Sequence, residues 1–252
     1  MLIAGENKLY SLTIVTPFYN EEEGLDNFFK TLKKIHTLIN KKINVKFLFI
    51  DDGSSDSTQK KLSNFKEKNL QYKITIFCHK KNFGYGRTLK NSIKLCDTKY
   101  LITYDSDCTY NYKIINTLVN QILTQKNDII NVSYKLAQKD MEVSMFRKTL
   151  SWGSSFVYKF FFSEIKNYNV KVLTCSFRIY ETSKIKNIKL NSEDFNCCAE
   201  LIIKAMINNL NITEIPGENL GRKFGHSKMK IIKNTFNTLK TIFLIKKKSK
   251  LS

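Results

Sequence analysis

Tyr100-Leu-Ile-Thr-Tyr-Asp-Ser-Asp107 is an apolar, β-rich run that ends on two carboxylates one residue apart. A strand interior so poor in polar groups predicts burial on both faces, so Asp105 and Asp107 stand where the chain leaves the sheet. By itself an Asp-x-Asp reads more readily as a solvated strand-end turn than as a site, and its surroundings decide. Toward the N-terminus the same pattern recurs. Residues 12–16 are an apolar run closed by Pro17, and Leu25, Phe28, Phe29, Leu32, Ile35 and Ile39 follow at helical spacing. Residues 45–50 form a second buried strand closed by Asp51-Asp-Gly-Ser-Ser55, with Asp56 or Ser57 as N-cap of a helix reaching about Lys68. Residues 73–78 predict a third strand, before a glycine-containing loop and a helix near 88–95.

Toward the C-terminus, Ile114, Ile115, Leu118, Val119 and Ile122 mark a helix and residues 128–132 a strand. Residues 145–162 read as an aromatic, basic amphipathic helix. A strand at 177–180, a helix at 195–208, a strand at 212–215 and a basic helix or tail from Lys228 complete the chain. Strands alternating with helices through short loops predict an α/β fold, a mainly parallel sheet with helices on both faces. In such sheets ligands bind beyond the carboxyl ends of the strands. Tyr19-Asn-Glu21, Asp51-Asp52 and Asp105/Asp107 all lie at those ends, so three loops distant in sequence converge on one crevice.

The residue types there suggest chemistry. Asp105 and Asp107 offer hard oxygen ligands, which suit Mg²⁺ or Mn²⁺ shared with the diphosphate of a nucleotide. Asp51 and Asp52 close a wholly apolar strand; they read either as an Asp-Gly turn or as acceptors for a nucleobase N–H. Lys81-Asn-Phe-Gly-Tyr-Gly86 has neither the GxGxxG fingerprint nor Walker lysine spacing. The first strand-to-loop junction has no glycine, which further disfavours a dinucleotide-binding protein. A response-regulator domain would need about half this length.

Composition bounds the rest. The 252 residues, 42% of them hydrophobic, suffice for one sizeable domain. Six cysteines without CxxC spacing predict free thiols and a reduced, cytoplasmic environment. The net charge of +20 suits an anionic partner, although the abundance of Lys, Asn and Ile also fits an AT-rich coding bias. A nucleic-acid module is not expected, because its aromatics are not interleaved with basic residues on recognisable strands and an acidic crevice repels phosphate unless metal is bound. No signal peptide is evident, and no window approaches the roughly 20 apolar residues of a membrane span.

The motifs Ile14-Val-Thr-Pro-Phe-Tyr-Asn-Glu21, Phe49-Ile-Asp-Asp-Gly-Ser-Ser-Asp56 and Tyr104-Asp-Ser-Asp107 resemble glycosyltransferase family 2. Phe146-Arg147 with Ser151, Ser176-Phe-Arg-Ile-Tyr180, Glu200, Glu214-Ile-Pro216 and Arg222-Lys-Phe-Gly-His-Ser-Lys228 narrow the resemblance to its polyprenyl-phosphate glycosyltransferases, of the dolichyl-phosphate mannose synthase kind. The resemblance spans roughly residues 10 to 230. It implies a GT-A fold, the Rossmann-like fold of nucleotide-diphospho-sugar transferases, over residues 1–227, with 228–252 as a basic C-terminal helix or tail. It also implies inverting transfer of a sugar from a GDP- or UDP-sugar to a polyprenyl phosphate.

By the same resemblance Pro17, Tyr19, Glu21, Asp51, Asp52 and Asp105 hold the nucleotide, and Asp105 and Asp107 hold the metal. Asp107, Arg147, Arg178, Arg222 and Lys228 serve the transfer, the basic residues by meeting donor and acceptor phosphates. Glu193-Asp194 resemble the acidic pair that other branches use as a base toward a sugar hydroxyl, the alternative acceptor, in polysaccharide synthesis. A non-catalytic nucleotide-binding scaffold is the remaining alternative. Cys108-Thr-Tyr-Asn111 after the Asp-x-Asp, Arg87 and Ser92, and Ser176 where relatives carry Gly depart from the family pattern. The 145–162 helix and Thr241-Ile-Phe-Leu-Ile-Lys-Lys-Lys248 pair apolar with basic groups, as peripheral attachment to the cytoplasmic face of an anionic membrane requires. A separate membrane-protein partner is the other route to the lipid.

Overall fold

A computed structural model describes residues 10–133, 145–222, 224 and 231–249. Strands β1 (Ser11–Phe18), β2 (Asn44–Asp51), β3 (Ile74–Cys78) and β4 (Tyr100–Thr103) alternate with helices α1 (Leu25–Ile39), α2 (Thr58–Lys68) and α3 (Tyr85–Leu95). Then come α4 (Ile114–Thr124), β5 (Ile129–Ser133), α5 (Met145–Phe161), β6 (Arg178–Glu181), a single helical turn α6 (Thr182–Ile185), α7 (Asn196–Ile207), β7 (Ile212–Pro216) and α8 (Ile231–Ser249).

The strands form one sheet in the order β3-β2-β1-β4-β6-β5-β7. Every pairing is parallel except those of β6, which runs antiparallel to both β4 and β5. The β6 residues are buried like those of a central strand, yet their orientation is set by the long excursion through α5, which no local pattern encodes.

Core placement follows the periodicities. On α1, Leu25, Phe28, Leu32, Ile35 and Ile39 are buried against the face of the sheet that carries Phe18, Phe47 and Phe49. Leu89 and Ile93 of α3 and Cys197, Cys198 and Leu201 of α7 cover the other face with Val15, Leu48 and Ile50. A third cluster joins α5, α7 and α8 through Tyr158, Phe162, Ile202, Met206, Ile242 and Ile245. The basic C-terminal segment expected from Lys228 onward therefore includes a helix packed on α7 and α5. All six cysteines are free.

Candidate active site

The carboxyl ends of β1, β2 and β4 carry the acidic loops, and two of these loops are laced together. Asn20 takes a left-handed backbone (φ 51°), which asparagine tolerates better than most non-glycine residues. Its amide donates to Ser54 Oγ (2.9 Å) and its Oδ1 accepts from Ser55 N (2.7 Å). Glu21 N donates to Thr58 Oγ1 and Glu22 N to Asp56 Oδ2, while the Glu22 carboxylate takes both the amide and the hydroxyl of Ser57. Asp56 Oδ1 caps α2 by accepting from Thr58 N (2.9 Å). The loop after β1 is thereby held rigid by the start of α2, which fixes the direction of Glu21.

Glu21, Asp105, Asp107 and Arg222 form one charged cluster. Arg222 Nη2 donates to both Glu21 oxygens (2.6 and 2.7 Å), and its Nε lies 3.6 Å from Asp107 Oδ2. Asp107 Oδ1 accepts from Thr109 N, while Asp105 Oδ2 accepts from Ser176 Oγ (2.8 Å). Burial, then the neighbouring Asp107, pushes the Asp105 carboxyl up to about 7, against the opposing pull of Ser176 and Arg222. Cys108 sits at φ 54°, so the backbone kinks directly after the pair. The segment before Arg222 is stitched to this loop by Leu220 N to Thr109 O (2.7 Å), the Tyr110–Asn219 bridge and Asn111 N to Glu218 O.

Asp51 and Asp52 diverge in environment. Asp51 is buried, accepts from the amide and hydroxyl of Ser54, and has its carboxyl pushed up, chiefly by burial. Asp52 is saturated: His79 Nδ1 lies at 2.6 Å, with Phe83 N at 2.9 Å and Gly84 N at 2.8 Å. His79 Nε2 meets Asn91 Nδ2 on α3 at 2.7 Å, so Asp52 anchors the loop after β3. Gly53 (φ 72°) must be glycine, because a Cβ there would stand 2.3 Å from the Lys81 carbonyl carbon. His79 and Ser176 were not singled out as site residues in sequence. The signals were there: His79 is the first residue past β3, and Ser176 departs from the family's glycine, putting a hydroxyl on Asp105.

Pro17 lies within β1 opposite Ile50, and Tyr19 follows the strand half-buried. Arg178, expected at phosphates, is instead wholly buried. Its guanidinium donates to Asn131 Oδ1 (2.6 Å), Cys198 O (2.6 Å) and Leu173 O (2.5 Å), out of reach of a ligand in the crevice. The cause is the register of β6: flanked by β4 and β5, it turns Arg178 into the core that α7 covers. Arg147 belongs to α5, whose side-chain detail there lies outside the described residues, as does Lys228 altogether. Asp194 accepts from Asn196 N (3.0 Å), Asn196 Nδ2 (3.2 Å) and Asn237 Nδ2 (2.6 Å). Glu193 pairs with Arg87 (3.0 Å) at the surface.

Among the described residues no group of three or more His, Cys, Asp or Glu side chains could hold a metal ion unaided. Asp105 and Asp107, two carboxylates one residue apart just beyond the end of β4, are nonetheless hard oxygen donors of the kind that suits Mg²⁺ or Mn²⁺.

The description of glycosyl transferase family 2 matches residues 13–189, well over half of the chain. The chain belongs to glycosyltransferase family 2. It is 26% identical over 216 residues to a dolichyl-phosphate β-glucosyltransferase of Dictyostelium discoideum, covering 81% of this chain and 64% of that one. To a dolichol-phosphate mannosyltransferase of Pyrococcus furiosus it is 23% identical over 236 residues, covering 94% and 64%. The chain thus spans less than two thirds of the length of each of these curated relatives. Glucosyl-3-phosphoglycerate synthase of Mycobacterium tuberculosis, solved with Mn²⁺, UDP and glucosyl-3-phosphoglycerate, superposes with a TM-score of 0.70 at 13% identity, over 94% of this chain and 80% of that one. The fold of this family 2 member is GT-A.

Proposed function

We propose that this family 2 protein transfers a sugar from a GDP- or UDP-sugar to a polyprenyl phosphate with inversion, yielding a lipid-linked monosaccharide for the cell envelope. The observation that carries the reading is the disposition of charge around the crevice. Arg222 faces the Asp105/Asp107 pair, whereas the acids resembling a catalytic base are engaged elsewhere, Asp194 by three N–H donors and Glu193 by Arg87. A sugar hydroxyl acceptor requires a base. A phosphate is already anionic and needs only alignment and charge stabilisation. The dolichyl-phosphate relatives support the same acceptor class.

In this reading Asp51 and Tyr19 hold the nucleoside, with Asp52 rigidifying the loop beside it. Asp105 and Asp107 would hold a divalent cation, which when bound would supply positive charge against a leaving diphosphate. Arg222, shifting from Glu21 to the phosphates, offers a guanidinium fork to the developing charge. Arg147 and Lys228 are kept as candidates for the same task.

The lipid would be met at the face formed by α5 and α8. Phe156 (72% exposed), Phe160, Leu239 and Phe243 (67%) stand in solvent beside Lys159, Lys240 and Lys246. Among the described residues no helix is long and apolar enough to cross a membrane, so peripheral attachment to an anionic surface is the proposed mode.

The test is to offer labelled GDP- and UDP-sugars with Mg²⁺ or Mn²⁺ to polyprenyl phosphate and, separately, to oligosaccharides. Label entering the organic phase only with polyprenyl phosphate is expected. Label transferred only to water-soluble sugars would overturn the acceptor assignment.

A further inference from the structure

The helix that carries the exposed Leu239 and Phe243 turns a polar stripe inward. Asn237 Nδ2 donates to Asp194 Oδ2 (2.6 Å), Thr238 Oγ1 meets Asn196 Oδ1 (3.1 Å), and Thr241 Oγ1 meets Ser192 Oγ (3.1 Å). Tyr158 of α5 donates to the same Asn196 oxygen (3.2 Å). Thr238, Thr241, Ser192, Asn196 and Tyr158 are all buried. Hydrogen bonds between buried hydroxyls and amides are directional and costly to leave unmade, whereas an apolar seam would tolerate sliding. One helix pair therefore fixes the segment 192–196 in a single arrangement.

That segment forms a wall against the start of α3. Gly86 N donates to Glu193 O (2.8 Å), and a Cβ on Gly86 would stand 2.3 Å from Ser192 O, so α3 and the wall touch backbone to backbone. Two residues earlier, Gly84 N donates to Asp52 (2.8 Å). Phe195 stacks on Tyr85, the first residue of α3, with ring centroids 4.3 Å apart.

We propose that Asn237, Thr238 and Thr241 of α8 are positioning residues for the transfer site, acting through Ser192–Asn196 on the start of α3 at Tyr85 and Gly86 and on the adjoining loop held by Asp52. This rests on the proposed glycosyl transfer for its kinetic meaning, but the mechanical claim stands apart from it. The helix proposed to lie on the membrane is thus joined by one buried seam to the loop that Asp52 anchors beside the proposed donor site.

The test compares Thr238→Val/Thr241→Val, which keeps side-chain volume but removes both hydroxyls, with Thr238→Ser/Thr241→Ser, which restores them. Hydrogen exchange is read at residues 84–86 and 191–196, and in the core strands β1 and β2. Steady-state transfer is read per folded molecule. The valine protein is expected to exchange faster at 84–86 and 191–196 with β1 and β2 unchanged, to lose about tenfold in kcat with the KM for nucleotide sugar little altered, and the serine protein to recover both. Exchange rising equally everywhere, or confined to α8 itself, would overturn the proposal by reducing the seam to ordinary packing. So would kcat per folded molecule unchanged in the valine protein. If the wild-type protein transfers no sugar at all, the functional reading fails, and the exchange pattern alone judges the seam.

Discussion

At the residue scale, the arginines divide by what surrounds them. Arg178 and Arg222 both lie in motifs that resemble phosphate-binding ones, and nothing in the local sequence distinguishes them. The structure does: Arg178 is spent on two carbonyls and an amide in the core, and Arg222 faces Glu21 and Asp107. Arg178→Ala should lose roughly 3 kcal/mol or more of stability, because it leaves a cavity and three buried acceptors unmet. Nucleotide affinity of the folded fraction, measured by calorimetry, should stay within about twofold, well under one kcal/mol; a large loss of affinity would return Arg178 to the phosphates.

Glu200 gives a second contrast. It is fully buried, and although burial pushes its carboxyl up, hydrogen bonds from Lys204 Nζ (2.5 Å), Ser192 N and Asn191 N prevail and hold it below the usual value of a glutamate carboxyl. A depressed folded value contributes stability above about pH 4.5 that is lost as pH falls through the folded value. Glu200→Gln should lower the urea midpoint at pH 7 and flatten the acid limb of stability below pH 4.5. An unchanged acid limb would remove Glu200 from the account.

At the element scale, most of the fold was legible. The periodicities of α1 and α4 and the apolar runs of β1, β2 and β4 predict elements that differ from the structure by only a residue or two at their ends, because each buries its own stripe or both its faces. The antiparallel insertion of β6 was not legible, since orientation depends on the chain's path through α5. The donor-side loop was half legible: strand ends locate Asp51 and Asp52, but the saturation of Asp52 by His79, Phe83 and Gly84 depends on contacts about 30 residues away in sequence.

The outer faces of α5 and α8 carry a further expectation at this scale. Phe156 and Phe243 protrude from neighbouring helices, and Lys246 lies 5.1 Å over the ring of Phe161. Replacing both Phe156 and Phe243 with Ser should abolish co-flotation with anionic vesicles and leave unfolding unchanged, since neither side chain is packed in the core. Flotation equal to wild type would assign membrane contact to another surface.

At the scale of the whole molecule, a parallel sheet with its switch between β1 and β4 brings three acidic loops together, and a helical layer of α5, α7 and α8 closes one side. The chain carries a net charge of +20, whereas Glu21, Asp105 and Asp107 make one acidic cluster at the carboxyl ends of the strands. In the proposed function such a contrast would draw anionic substrates in and admit their phosphates only with a cation. The most direct test is calorimetric binding of UDP and GDP to the wild-type protein and to Asp107→Ala, with and without Mn²⁺. The account predicts that Mn²⁺ tightens binding of one nucleotide at least about tenfold, roughly 1.4 kcal/mol, in the wild type only. Equal tightening in Asp107→Ala would contradict it.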